Sequence, residues 1–225
     1  MKKYDIFLFD ADNTLYDFDR ASAHALKTLL TKYGYGYSSD LPQTFIKSTA
    51  DLWQALEKGK ISGEDLQSER FKRLFELLNV THDPKEFNDE YIYEMGKSSF
   101  LIDGALEICR QITESSKRLY IITNGFLATG KTRAKFSVIE TYKSGTFASE
   151  EIGHNKPAKA FFDHVLANIP QGEALIIGDS LSADIAGGNA TGIDTCWFNP
   201  HGYTNNTGII PTYEISNLTE LQKFI

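Results

Sequence analysis

The sequence predicts an α/β protein, a three-layer, doubly wound parallel sheet with an inserted bundle of helices. Three observations carry that prediction. Apolar runs ending in polar groups recur at residues 4–10, 119–123 and 174–178. From residue 101 onward, strand-like and helix-like stretches alternate, the pattern of a parallel sheet covered on both faces. Between 17 and 100 the spacing is helical throughout, with no strand-like run.

Taken in order, residues 4–10 form the first strand. Four helical stripes follow: Ala25, Leu26, Leu29, Leu30 and Tyr33, closed by Gly34; Phe45, Ile46, Leu52, Trp53 and Leu56, closed by Gly59; Leu66, Phe71, Leu74, Phe75 and Leu78, opened by Ser62; and Phe87, Tyr91, Ile92 and Met95, opened by Asp83-Pro84. Apolar residues three and four apart mark one buried face of each helix, and the polar openers are helix-start signals. A helix carrying Ala105, Leu106, Ile108, Cys109 and Ile112 comes next. Strands are then expected at 119–123, 146–148, 174–178 and 195–198, with helices at about 127–140, 157–168 and 182–191. The tail 199–225 completes the sheet and ends in a helix from about Leu218. The resulting division is a core of 1–16 with 101–225, and an inserted helical domain of 17–100.

Composition narrows the function. The 225-residue chain is 41% apolar and carries 23 Lys and Arg against 30 Asp and Glu, a net −7 without any basic block. That excludes a nucleic-acid polymer as the expected partner. Cys109 and Cys196 lie in apolar surroundings and read as small core residues. No apolar run reaches transmembrane length, and Asp5 and Asp10 interrupt any signal-type segment, so a cytoplasmic, membrane-free protein is expected, as a monomer or weak homodimer.

The chemistry concentrates at the strand ends. Phe7-Leu8-Phe9 runs into Asp10, with Asp12 two residues on and Thr14 two further. Alternation along an extended chain points Asp10 and Asp12 the same way, and paired carboxylates invite a hard cation such as Mg2+. Ile121-Ile122 ends in Thr123-Asn124-Gly125, a hydroxyl and backbone N–H groups suited to phosphate oxygens. Lys156 precedes Pro157, expected at the first position of a helix. Leu175-Ile176-Ile177-Gly178 ends in Asp179-Ser180, with Asp184 a helical turn later. In a parallel sheet these ends converge on one crevice. Asp10 would then attack phosphorus, and Asp12 would serve as acid and base. Thr123 and Lys156 would hold equatorial oxygens, Asp179 would anchor the metal, and Asp184 would orient Lys156 or a metal-bound water. Taken singly, each residue also reads as ordinary: a strand-end hydroxyl, a surface lysine, a helix-surface acid.

In these motifs, Asp10-Ala-Asp-Asn-Thr, Thr123-Asn-Gly, Lys156-Pro and Gly178-Asp-Ser-x-x-x-Asp184, the chain resembles the haloacid dehalogenase-like hydrolase superfamily over essentially its full length. The resemblance implies a Rossmann-like core with a helical cap at 17–100. It also implies Mg2+ held by the Asp10 side chain, the Asp12 carbonyl and Asp179, with Thr14 and Ser180 in support. Phe9-Asp-Ala-Asp-Asn-Thr-Leu-Tyr-Asp-Phe-Asp19 and Asp194-Thr-Cys-Trp-Phe-Asn-Pro200 are similar to the pyrimidine 5′-nucleotidase subgroup, which acts on nucleoside monophosphates. Gly130 stands where that subgroup has a glutamine, while Arg133 keeps its place. Tyr16, Phe18 and Trp53 are candidates for a base pocket and equally for core. Sugar-phosphate phosphatase and phosphomutase readings share the same motifs. A different class is also open: Gly125-x-x-x-x-Gly130-Lys131-Thr132 fits the phosphate-loop pattern of an ATP or GTP hydrolase.

Overall fold

In a computed structural model, which describes residues 2–225, the run Ile6–Phe9 forms β1, buried along its whole length. The other strands are β2 (Arg118–Thr123), β3 (Gly145–Ala148), β4 (Ala174–Gly178), β5 (Asp194–Phe198) and β6 (Tyr213–Ile215). They form one six-stranded sheet in the order β3-β2-β1-β4-β5-β6, every pair parallel. This is the doubly wound core that the alternation of strand and helix predicts. Phe9 lies opposite Ile121 on one side and Ile177 on the other, so β1, β2 and β4 bring their carboxyl ends close together. The strand order reverses between β1 and β4, the switch point at which such sheets bind ligands. Side-chain alternation explains why an uninterrupted apolar strand is needed. Phe7 and Phe9 enter one apolar layer with Ile108, Ile112 and Phe224, while Ile6 and Leu8 enter the opposite layer with Phe161 and Phe162.

The α-helices are α1 (Phe18–Lys32), α2 (Leu41–Glu57), α3 (Gly63–Leu78), α4 (Pro84–Lys97), α5 (Ala105–Glu114), α6 (Leu127–Phe136), α7 (Ser149–Ile152), α8 (Lys159–Ala167) and α9 (Ala186–Thr191). Some differ from expectation. The helix expected at 127–140 stops at Phe136 and gives way to a 3-10 turn, Val138–Thr141. The stretch 181–191 opens as a π-helical turn, Leu181–Ile185, and the C-terminal helix, Leu218–Phe224, is 3-10. The short α7 gave no periodic signal.

The chain divides into two compact units. One comprises the described residues through Asp17, Leu101–Gly125 and Val138–Ile225; the other comprises Phe18–Phe100 and Phe126–Ser137. The second is a bundle whose core includes Leu26, Leu30, Phe45, Leu52, Phe71, Phe75, Phe87 and Tyr91. Its helix ends are specified locally. Ser62 and Asp65 form a reciprocal capping box at α3, and the Asp83 carboxylate accepts from the Lys85 and Glu86 N–H groups at the start of α4. Residues 126–137, expected within the α/β unit, pack instead with this bundle. The reason is close approach: a Cβ on Gly96 of α4 would lie 2.4 Å from the Thr132 Cβ of α6, so the two helices meet through a glycine. No helix among the described residues is long and apolar enough to cross a membrane.

Candidate active site

At the end of β1 the Asp10 N–H still donates to the Ile177 carbonyl (2.8 Å), so the residue is held by the sheet although it lies beyond the strand. The chain then folds back tightly. Asn13 takes a left-handed conformation (φ 57°) and donates its N–H to the Tyr16 carbonyl (2.7 Å). The N–H groups of Leu15 and Tyr16 both reach the Ala11 carbonyl. Asparagine tolerates that conformation better than most residues. The turn fixes Asp12 beside the loop that follows β2, where Thr123 Oγ1 accepts from the Gly125 N–H (2.8 Å) and keeps its own proton for another acceptor. A Cβ on Gly125 would sit 3.1 Å from Asp12 Oδ2 and 3.0 Å from Thr123 Oγ1, so glycine leaves that space clear.

Lys156 is the centre of the arrangement. Its side chain is 1% exposed, and Nζ donates to Asp10 Oδ1 (2.6 Å), Asp184 Oδ1 (2.6 Å) and the Ile122 carbonyl (2.9 Å), which uses all three of its protons. Its backbone is clamped as well: the Lys156 N–H donates to Asn124 Oδ1 (2.8 Å) and its carbonyl accepts from Asn124 Nδ2 (2.9 Å). Burial alone would lower the lysine pKa, but the Asp10 and Asp184 carboxylates outweigh it and hold the ammonium charged. Asp184 is set in turn by the π-helical turn after β4. Its Oδ2 accepts from the Ser180 N–H (3.2 Å), and Ser180 Oγ accepts from the Ala183 N–H (3.1 Å). Gly178 makes room for it, since a Cβ there would lie 2.1 Å from Asp184 Oδ2.

Carboxylate oxygens of Asp10, Asp179 and Asp184 lie within 4.8 Å of one another. Burial first, then the neighbouring charges of Asp184 and Asp12, push Asp10 up to about 7 despite Lys156. Burial, with Asp10 and Asp184, likewise pushes Asp179 well above the carboxylate range. Asp179 is fixed through its backbone, its carbonyl accepting from Trp197 Nε1 (2.9 Å). A single ammonium against three clustered carboxylates leaves an excess of negative charge that a divalent cation with oxygen ligands would relieve, so the donor set fits such an ion.

The structure therefore brings Asp10, Asp12, Thr123, Asn124, Lys156, Asp179, Ser180 and Asp184 together at the carboxyl ends of β1, β2 and β4. Several expectations change. Lys156 does not open a helix; α8 begins at Lys159, and the preceding segment is held by the Asn124 side chain. That side chain is thus committed to Lys156 rather than to phosphate. Thr14 is fully buried, and its hydroxyl meets no hydrogen-bond partner among the described residues. Tyr16 belongs to the core of the α/β unit, whereas Phe18 and Trp53 pack on the bundle core. The phosphate-loop pattern forms no loop. Positions 127–132 are already helical, the Thr132 hydroxyl donates to the Ala128 carbonyl (3.1 Å), and Lys131 is exposed. Sequence reasoning missed the Ile122 carbonyl, the clamp made by Asn124 and the indole of Trp197. Backbone acceptors and long-range side-chain pairs leave no local trace in a sequence.

Comparison with known proteins agrees with this geometry. The family described as haloacid dehalogenase-like hydrolase matches residues 4–192. The HAD-hydrolase YfnB of Bacillus subtilis is 38% identical over 224 residues, covering 98% of this chain and 95% of that protein. A crystal structure of YfnB bound to magnesium superposes with a TM-score of 0.90 at 36% identity, covering 99% of this chain and 98% of that one. The pyrimidine 5′-nucleotidases PynA of Streptococcus pneumoniae and YjjG of Escherichia coli are 35% and 33% identical, over 97% and 99% of this chain and 93% and 98% of their own lengths. With its family motifs gathered at the switch point of the sheet and relatives matching it nearly end to end, the chain belongs to the haloacid dehalogenase-like hydrolases.

Proposed function

We propose that this hydrolase cleaves phosphomonoesters through an aspartyl-phosphate on Asp10, with Mg2+, and that its substrates are nucleoside 5′-monophosphates, pyrimidines foremost. The observation that carries the reading is the ammonium of Lys156 bridging Asp10 Oδ1 and Asp184 Oδ1. It pins one oxygen of Asp10 and leaves the other for attack on phosphorus. The P–O ester bond breaks as the new Asp10–P bond forms, and Asp12 gives its proton to the leaving alkoxide. Asp12 then takes a proton from the water that hydrolyses the acyl phosphate, releasing inorganic phosphate and restoring Asp10. The Thr123 hydroxyl is available to a phosphate oxygen. Lys156, with its protons already engaged, acts chiefly by holding and neutralising Asp10, and Asn124, Ser180 and Asp184 position it.

Asp10 and Asp179, with the Asp12 carbonyl, would hold Mg2+, which when bound supplies the positive charge that lets a phosphate approach carboxylates. The magnesium-bound relative supports that choice of ion. We assign substrate selection to the helical unit, and a cytoplasmic monomer or weak homodimer suits the substrate. Phosphate release from UMP, dUMP, TMP, AMP, sugar phosphates and ATP, each with Mg2+ or with EDTA, tests the reading. Metal-dependent release led by the pyrimidine monophosphates is expected. Release from sugar phosphates alone would keep the chemistry and discard the substrate class, and turnover of ATP with monophosphates untouched would discard both.

A further inference from the structure

Side chains alternate along β5. Cys196 and Phe198 enter the apolar layer that holds Phe7, Phe9 and Ile177, so Trp197 between them faces the other way. There it is 4% exposed, yet it joins neither apolar layer of the α/β unit. Its place is the carboxyl edge of the sheet. Trp197 lies opposite Gly178, the last residue of β4, and Asp179 is the next residue in the chain. The indole N–H, a group that can only donate, meets the Asp179 carbonyl at 2.9 Å. What ties this ring to the site is a hydrogen bond rather than apolar packing.

The peptide between Asp179 and Ser180 is gripped at both ends. Its carbonyl accepts from Trp197, and its N–H, that of Ser180, donates to Asp184 Oδ2 (3.2 Å). A peptide is planar, so two fixed ends orient the whole unit, and the Asp179 side chain leaves the Cα at its edge. This hold matters more for Asp179 than for its neighbours. Asp10 and Asp184 are each tied through a side-chain oxygen to the Lys156 ammonium. Asp179 is half-buried, is repelled by both of them, and is tethered through this peptide. Were the tether loosened, the carboxylate would turn towards solvent, and an incoming cation would have to draw it back.

We propose that Trp197 is a positioning residue for Asp179: its indole N–H holds the peptide that aims this carboxylate into the cluster, and so raises the affinity of the site for a hard divalent cation such as Mg2+. The inference rests on the metal assignment proposed above and adds the group, on a different strand, that readies one of the ligands. Groups that orient metal ligands from behind are worth about 10- to 100-fold in affinity or activity. A single neutral hydrogen bond puts Trp197 at the lower end of that range.

The test reads Mg2+ binding first and turnover second, on the full chain. Trp197→Phe keeps a ring and removes the donor. Benzothienylalanine incorporated in place of tryptophan is a closer isostere, with sulfur where the N–H stood. In a Trp53→Phe background it occurs only at position 197, because the chain has two tryptophans. Calorimetric titration with Mg2+ should show affinity about 10-fold weaker in both proteins, each with native far-ultraviolet dichroism in EDTA. The Mg2+ concentration for half-maximal UMP hydrolysis should rise by the same factor. At saturating Mg2+, kcat should stay within about twofold of the parent protein, a split that general damage to the fold would not produce. A kcat that remains low at saturating Mg2+ in the isostere would overturn the assignment. So would an isostere that binds Mg2+ as tightly as its Trp53→Phe parent while Trp197→Phe does not, since the loss would then be one of packing. Unchanged affinity in both proteins, with Asp179→Asn unable to bind, sinks the inference and spares the metal assignment. A wild type that binds no Mg2+ removes that assignment and the inference with it. Weakened binding by the isostere supports the inference even if UMP is not hydrolysed, because affinity is read without substrate.

Discussion

Lys156 and Arg70 are both buried cations, and the two units treat them oppositely. In the α/β unit the ammonium meets two carboxylates and a carbonyl, so each proton has an acceptor and the local excess of charge is negative. In the helical unit the guanidinium meets one amide oxygen and a set of rings, and the local excess is positive. The difference separates two uses of a buried charge. A fully paired one fixes the geometry of its partners; the other is carried by one amide oxygen and by the faces of the rings around it. Neither arrangement follows from stability alone, since replacing buried charges by apolar groups is often neutral or favourable.

Substitutions can break that contrast, beginning with the largest expected effect. Asp10→Asn should lower kcat by about 10³-fold or more, the scale of losing a nucleophile, while the far-ultraviolet dichroism stays native, because Lys156 retains Asp184 and Ile122. Normal turnover by this variant would remove the proposed mechanism. Lys156→Met strands the clustered carboxylates and should cost about 3–5 kcal/mol in urea unfolding without metal. If the loss were under 1 kcal/mol, the ammonium would not be holding the cluster together. Mg2+ at a hundred times its dissociation constant should add about 2.7 kcal/mol, seen as a rise of roughly 5–10 °C in melting temperature. Asp179→Asn should abolish most of that rise yet melt higher than wild type in EDTA, because one repelling carboxylate is gone. Arg70→Met should shift stability by no more than about 1 kcal/mol in either direction, since the charge it removes was never fully compensated. A loss of the Lys156→Met size would make the two cations alike and erase the contrast.

The contrast also marks how far the sequence could be read. β1 and β4 were legible because strands buried on both faces must be apolar throughout, and the polar residues closing them had to lie at one edge of a parallel sheet. The bundle was legible from stripes such as Phe45, Leu52 and Leu56. The membership of α6 was not, because its packing depends on the close approach of Gly96 to Thr132 and not on an apolar stripe. Lys156, Asp184 and Asp10 could be placed at one edge, but the clamp by Asn124 could not, because it joins residues 32 apart. Arg70 is a local exception to the stripe. It stands four residues from both Leu66 and Leu74, a cation on the buried stripe of α3, where helical spacing calls for an apolar side chain.

The glycine contact between α4 and α6 reaches beyond packing. Because residues 126–137 belong with the bundle, the chain passes between the units four times, at 17–18, 100–101, 125–126 and 137–138. The helical unit is therefore not a cassette. A graft that exchanged only the contiguous insertion would carry off α4 and leave α6 behind, stripped of its partner and still spliced directly to Gly125. Any exchange of the helical unit would have to move both pieces together, or refit the contact at Gly96.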